Sequence, residues 1–115
     1  MQNFRLAIIG NESSILLYKT FGAEGFSVVT DKEAKECVEK LFAQDKGDEK
    51  KTPLYAIIFV EEDFYKNFPN DLLEKLAKKA LPAVIPVPTP NNQDNFSDKR
   101  LRKIVERAIG SDILS

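Results

Sequence analysis

Residues 55–60 read YAIIFV, Tyr55-Ala56-Ile57-Ile58-Phe59-Val60, and the reading of this hexapeptide decides the fold. Every residue is apolar, and most are β-branched or aromatic, the composition of a strand. A strand with no alternating polar face must be covered on both sides. That is the pattern of a parallel sheet packed between helices.

Working outward, the same logic applies to Leu6–Ile9, a short apolar run closed by the turn signal Gly10. A helix is expected to follow from Ser13 or Ser14, carrying Ile15, Leu16, Leu17, Tyr18 and Phe21, with Gly22 as its stop. Phe26, Val28 and Val29 make a second strand. In TDKEAKECVEKLFAQ, Thr30 and Glu33 have the spacing of a capping box, in which the two residues satisfy each other's orphan amides. Ala34, Cys37, Val38, Leu41 and Phe42 then form one apolar stripe, with lysines and glutamates opposite. Asp45–Lys51 is a charged loop.

Beyond YAIIFV, Glu61 to Asp63 open a helical stretch that Pro69 interrupts. Pro69 or Asn70 starts its continuation, with Leu72, Leu73, Leu76, Ala77 and Ala80 expected to face inward. LPAVIPVPTP, from Leu81, is the fourth strand. Pro86 has no N–H for a ladder, so the later half of this run belongs at a sheet edge or in extended chain. The fold class is therefore α/β, a small doubly wound four-stranded parallel sheet flanked by helices. Residues 1–88 form the core, 89–96 a linker rich in proline and asparagine, and 97–115 a tethered C-terminal helix and tail, capped by Ser97 or Asp98.

Composition narrows the function. Among 115 residues, 43% are hydrophobic and 30% charged, as in an ordinary globular domain. A formal net charge of -1 argues against nucleic acid or an anionic membrane as partner. The single cysteine, Cys37, allows no internal disulfide, and a reducing cytoplasm is the expected compartment. No stretch approaches the ~20 apolar residues of a membrane span, and the early apolar run is broken at Gly10 too soon for a signal peptide. Histidine is absent, which removes the commonest general base and metal ligand.

Three places could carry chemistry. Gly10-Asn11-Glu12-Ser13 follows the first strand, where doubly wound folds bind ligands. With one glycine, no lysine and a glutamate that repels anions, it reads as a tight turn and helix cap rather than a phosphate cradle. Glu61, Glu62 and Asp63, with Glu12, could hold Mg²⁺ as in a phospho-acceptor receiver, but the lysine such a site needs is missing from VIPVPTP. The simpler reading is acidic residues in the first turn of a helix. Cys37 lies on an apolar stripe and reads as a buried, inert thiol.

The final helix is the sharpest feature. Leu101, Ile104, Val105, Ala108 and Ile109 recur at helical spacing, Gly110 is a stop, and Ile113 and Leu114 follow it, still apolar. Lys99, Arg100, Arg102, Lys103 and Arg107 include three of the chain's four arginines, a residue enriched where charged surfaces meet partners. A solvated polar face would account for the charges alone, but not for the apolar tail.

Leu101-x-x-x-Val105-x-x-Ala108-Ile109-Gly110-x-Asp112-Ile113-Leu114 resembles the C-terminus of the F subunit of bacterial and archaeal V/A-type rotary ATPases. Ala7-Ile8-Ile9-Gly10-Asn11-Glu12-Ser13 is similar to that family's first strand and turn, although Asn11 stands where an aspartate is more usual. Ile57-Ile58-Phe59-Val60-Glu61-Glu62 resembles its third strand, and Pro82–Pro88 its fourth. The charged loop Asp45–Lys51 is longer than the family pattern.

The resemblance implies a non-catalytic central-stalk component without cofactor or metal. It would bind the coiled-coil D subunit, turn inside the A3B3 head, and link to the connector of the membrane rotor. It would lie in the cytoplasm, peripheral to the membrane and not inserted in it. The expected partner-binding residues are Arg100, Leu101, Ile104, Val105, Arg107, Ala108, Ile109, Ile113 and Leu114. The alternatives from the residues alone are a receiver-like signalling module and a small ligand-binding α/β protein.

Overall fold

The structure is a computed structural model, and it describes residues 4–89. Its elements run β1 (Arg5–Gly10), α1 (Glu12–Lys19), β2 (Glu24–Ser27), α2 (Asp31–Ala43), β3 (Tyr55–Glu61), α3 (Glu62–Tyr65), α4 (Asn70–Ala77) and β4 (Ala83–Val87). The strands form one sheet in the order β2-β1-β3-β4, every pair parallel. This is the α/β architecture read from YAIIFV, and the two central strands explain it. In β3 every residue is buried, and Ile8 and Ile9 of β1 are fully covered.

Strand alternation sorts those side chains into two cores. On one face Ala7, Ile9, Ile58 and Val60 meet Ala34, Val38, Leu41 and Phe42 of α2 and Leu72 and Leu76 of α4. On the other, Ile8, Ile57, Phe59 and Val87 meet Tyr18 of α1, whose ring lies 5.0 Å from that of Phe59. The capping box is present: Thr30 Oγ1 accepts from the Glu33 N–H at 3.1 Å, and Glu33 accepts from the Thr30 N–H at 3.1 Å. Gly22 has φ +92°, the left-handed conformation that ends a helix at no steric cost. Pro86 pairs in register with Val60 on β4, an edge strand, as its missing donor requires.

Several boundaries differ from the sequence reading. Helix α1 begins at Glu12, ahead of Ser13 and Ser14, because Asn11 supplies the cap: its side chain accepts from the Ser14 N–H. Leu16 is 69% exposed, on the outer face of that helix. Strand β2 ends at Ser27, so Val29 falls in the following turn and is 82% exposed. Its N–H is drawn instead to the Glu33 carboxylate at 3.0 Å. Ala77 and Ala80 are exposed rather than inward, since α4 stops at Ala77 and the apolar stripe stops with it. The expected linker and C-terminal helix lie outside the described residues, apart from Thr89.

Candidate functional site

In the order β2-β1-β3-β4 the chain leaves β1 toward one side of the sheet and later fills the other. The carboxyl ends of β1 and β3 thus flank a switch point, where doubly wound folds take ligands. Here that crevice is closed by a carboxylate from the chain itself. Glu61 is the last residue of β3 and shares the α1-facing side with Ile57 and Phe59. It is 1% exposed. Its carboxylate accepts from the backbone N–H of Asn11, and from Asn11 Nδ2 at 3.3 Å. Asn11 in turn accepts the Ser14 N–H at its Oδ1, 3.1 Å away. One asparagine side chain therefore caps α1 and ties the β1–α1 turn to the tip of β3.

Gly10 makes this possible. A Cβ there would lie 2.6 Å from Cγ and 2.8 Å from Cδ of Glu61, and would overlap Oε1 as well. The turn is tight because the Glu61 side chain crosses it, which gives Gly10 a packing reason without any bound phosphate. The amide that would point at an anion, the Asn11 N–H, already faces a carboxylate, and Glu12 follows it in the first turn of the helix. An anionic ligand would meet like charge at this corner.

The other acidic residues do not join Glu61. Glu62 and Asp63 are exposed in the first turn of α3, as the dipole argument expects, and Asp63 pairs with Lys66 at 3.6 Å. Among the described residues no three His, Cys, Asp or Glu side chains gather to hold a metal. The sequence reading grouped Glu61 with its two neighbours at a helix start. Its separate, buried role was missed, and the signal for it was a glycine opposite it with no other reason to be a glycine.

Cys37 is half-buried in the apolar stripe of α2, and burial pushes its thiol up to about 11, partly opposed by the Lys40 ammonium. Tyr18 is fully buried; burial, then the Glu61 charge, raises its hydroxyl well above the ordinary phenol value. Tyr55 donates to Glu24 Oε1 at 3.0 Å, and Arg5 reaches the same carboxylate at 3.6 Å, tying β2 to the two central strands. The expected partner-binding residues, Arg100, Leu101, Ile104, Val105, Arg107, Ala108, Ile109, Ile113 and Leu114, lie outside the described residues.

A sequence model of the ATP synthase (F/14-kDa) subunit family matches residues 6–105. The F subunit of the V-type ATP synthase of Clostridium perfringens is 33% identical over 110 residues, covering 96% of this chain and 95% of that protein. Its counterpart in Fusobacterium nucleatum is 29% identical over 111 residues, covering 96% of each chain. The crystal structure of the V-type ATP synthase F subunit from Archaeoglobus fulgidus has the same fold, with a TM-score of 0.60 and 17% identity. It covers 75% of this chain and 99% of its own. The family match extends through both central strands, the β1–α1 turn and the first part of the basic C-terminal segment, and the chain belongs to the F-subunit family of V-type ATP synthases.

Proposed function

We propose that this protein is a non-catalytic rotor component of a V-type ATP synthase, bound to the coiled-coil D subunit of the central stalk. It turns with that stalk inside the A3B3 head and transmits torque between the head and the membrane rotor. Residues 97–115 form the attachment: Leu101, Ile104, Val105, Ala108, Ile109, Ile113 and Leu114 supply an apolar seam, flanked by Arg100 and Arg107. Family membership over residues 6–105 is the observation that carries this reading. The switch-point crevice supports it, since a nucleotide phosphate there would face the buried carboxylate of Glu61. ATP chemistry then belongs to the head. No helix among the described residues is long and apolar enough to cross a membrane, which fits a peripheral position held through the complex.

An apolar seam with charged flanks suits a part that must stay attached under torque. If its helix touches the head in one rotary state only, the same contact shifts the balance between working and idling states.

The test is co-purification of the full chain with the coiled-coil partner. Deleting residues 97–115, or changing Ile109, Ile113 and Leu114 to serine, should leave the circular dichroism of the α/β core unchanged and weaken the complex at least tenfold. Equal affinity of the truncated and full chains would overturn the assignment of the interface. Failure of the full chain to join any rotary complex would overturn the function.

A further inference from the structure

The sheet ends in two edge strands, β4 and β2. Pro86 blunts the first. The second, Glu24-Gly25-Phe26-Ser27, carries neither proline nor lysine, the residues that commonly guard an open strand. Just past its end, Val28 donates its N–H to the Gly10 carbonyl at 3.0 Å, toward β1. In a parallel ladder alternate residues bond to the same neighbour, so Phe26 and Glu24 also turn toward β1. Gly25 and Ser27 therefore present their N–H and C=O groups outward. Both residues are exposed, and among the described residues nothing pairs with those groups.

The surroundings of this edge are apolar. Four large hydrophobic side chains are exposed among the described residues, and three of them stand around β2: Phe21 before it, Val29 after it and Leu16 on α1. Helix α1 rests on Gly25 through Ile15, so it stands directly over the edge. On the opposite face, between β2 and α2, lies a groove of about 620 Å³ whose apolar lining includes Phe26, Val28, Cys37, Leu41 and Tyr55. An unguarded strand edge flanked by apolar surface is a template for a further strand.

We propose that the free chain pairs with a second copy of itself through β2, two edges joining antiparallel about a twofold axis into one continuous sheet. The register follows from the outward groups. Gly25 of each copy exchanges both hydrogen bonds with Ser27 of the other, and no outward group is left over. Phe26 then faces its own counterpart as a non-hydrogen-bonded pair, where cross-strand side chains approach closest, at the mouth of both grooves. Val29 of each copy comes to the end of the seam where Phe21 of the other lies. Charge agrees with this arrangement. Glu24 is already tied to Arg5 and Tyr55, and it falls opposite Val28 of the second copy. The two α1 helices run antiparallel beside the axis, which turns the acidic first turn of each, at Glu12, toward the basic last turn of the other, at Lys19. Leu16 shares a helical face with both, so the stripe is self-complementary. The pairing uses up both β2 edges and leaves only the Pro86 edges outside, so association closes at two copies. None of these residues belongs to 97–115, and the dimer and the stalk attachment can therefore fail separately.

Sedimentation equilibrium of the full chain from about 5 μM to about 0.5 mM tests the pairing, a range that brackets the affinity of a small transient interface. The mass should rise from 13.0 kDa toward twice that value. Amide exchange followed by NMR should show Gly25 and Ser27 protected several-fold at the highest concentration and unprotected at the lowest. Ser27→Pro removes an outward N–H that the monomer does not use. Leu16→Lys alters a side chain that is 69% exposed. Each should weaken the dimer by about tenfold or more while the circular dichroism of the monomer is unchanged, and the second covers the case in which the proline variant does not fold. A 13.0 kDa species at every concentration would overturn the proposal. So would protection of Gly25 and Ser27 that is independent of concentration, which would mean that another segment of the same chain covers the edge. A dimer that forms equally well in both variants would place the seam elsewhere and overturn it too.

Discussion

Gly10→Ala is the substitution on which the account of the switch point depends most directly. Gly10 is not in the left-handed region, so alanine can adopt its backbone conformation and the cost comes from contact alone. The new Cβ would stand 2.6 Å from Glu61 Cγ and 2.8 Å from Cδ, and Glu61 is 1% exposed, with no open space to swing into. Overpacking of this kind costs about 1–3 kcal/mol. Moving the carboxylate away from Asn11 also loses a charge-assisted hydrogen bond, worth about 1.5–3 kcal/mol. Partial relaxation keeps the total near about 3 kcal/mol. For a folded unit of this size that corresponds to a fall of roughly 12–24 °C in melting temperature.

Urea unfolding followed by far-ultraviolet circular dichroism measures the loss, and a double-mutant cycle with Glu61→Ala isolates its cause. In the Glu61→Ala background the clash and the bond are both gone, so Gly10→Ala should cost under about 1 kcal/mol there. If alanine at position 10 costs the same in both backgrounds, Glu61 is not what makes Gly10 necessary, and the clamp between the two strand tips is wrong.

Other outcomes follow from the same geometry. Thr30→Ala should cost about 1 kcal/mol in urea unfolding, because it removes one half of the capping box on α2. Backbone N–H bonds from Val29 and then Thr30 hold the Glu33 carboxyl below its usual range. A depressed value means a contribution present above the ordinary carboxylate pKa and lost as pH falls through the folded one. The stability gap between wild type and Glu33→Gln should therefore close on acidification, and a constant gap would contradict it. Burial raises the Cys37 thiol from 9.0 to about 11, so its contribution holds below pH 9 and is lost as pH rises toward 11. Alkylation by iodoacetamide near pH 8.5 should be several-fold slower in the native chain than in urea. Phe59→Ala should cost about 3–5 kcal/mol, since Phe59 anchors Tyr18 in the α1 core, whereas Leu16→Ala, at a position 69% exposed, should stay within about 0.5 kcal/mol.

The elements that could be read from the sequence are those whose cause is local. YAIIFV announced a strand buried on both faces because six successive residues lack a polar side. Thr30 and Glu33 announced a helix start because the capping box closes within one turn. Pro86 announced an edge because its missing donor is a property of the residue itself. Errors arose where a residue's fate depended on where its neighbours stop. Ala80 extends an apolar pattern past the end of α4, Ala77 stands exposed at its last position, and Val29 continues a β-rich run past the end of β2, so both runs outlast the surface that would bury them. A helix cap was legible within Gly10-Asn11-Glu12-Ser13, but the start of the helix was placed at the serines rather than directly after Asn11.

From the sequence alone came the layered α/β plan, the parallel sheet and the family resemblance, because hydrophobic period and motif order are written along the chain. The tertiary structure alone decided what Glu61 does. Its partners stand 50 residues earlier, in a turn that only the pairing of β1 with β3 brings alongside it. In sequence Glu61 is one acid among three. In the folded chain, strand alternation turns it inward while Glu62 and Asp63 remain in water, and a buried carboxylate obeys different electrostatics from an exposed one.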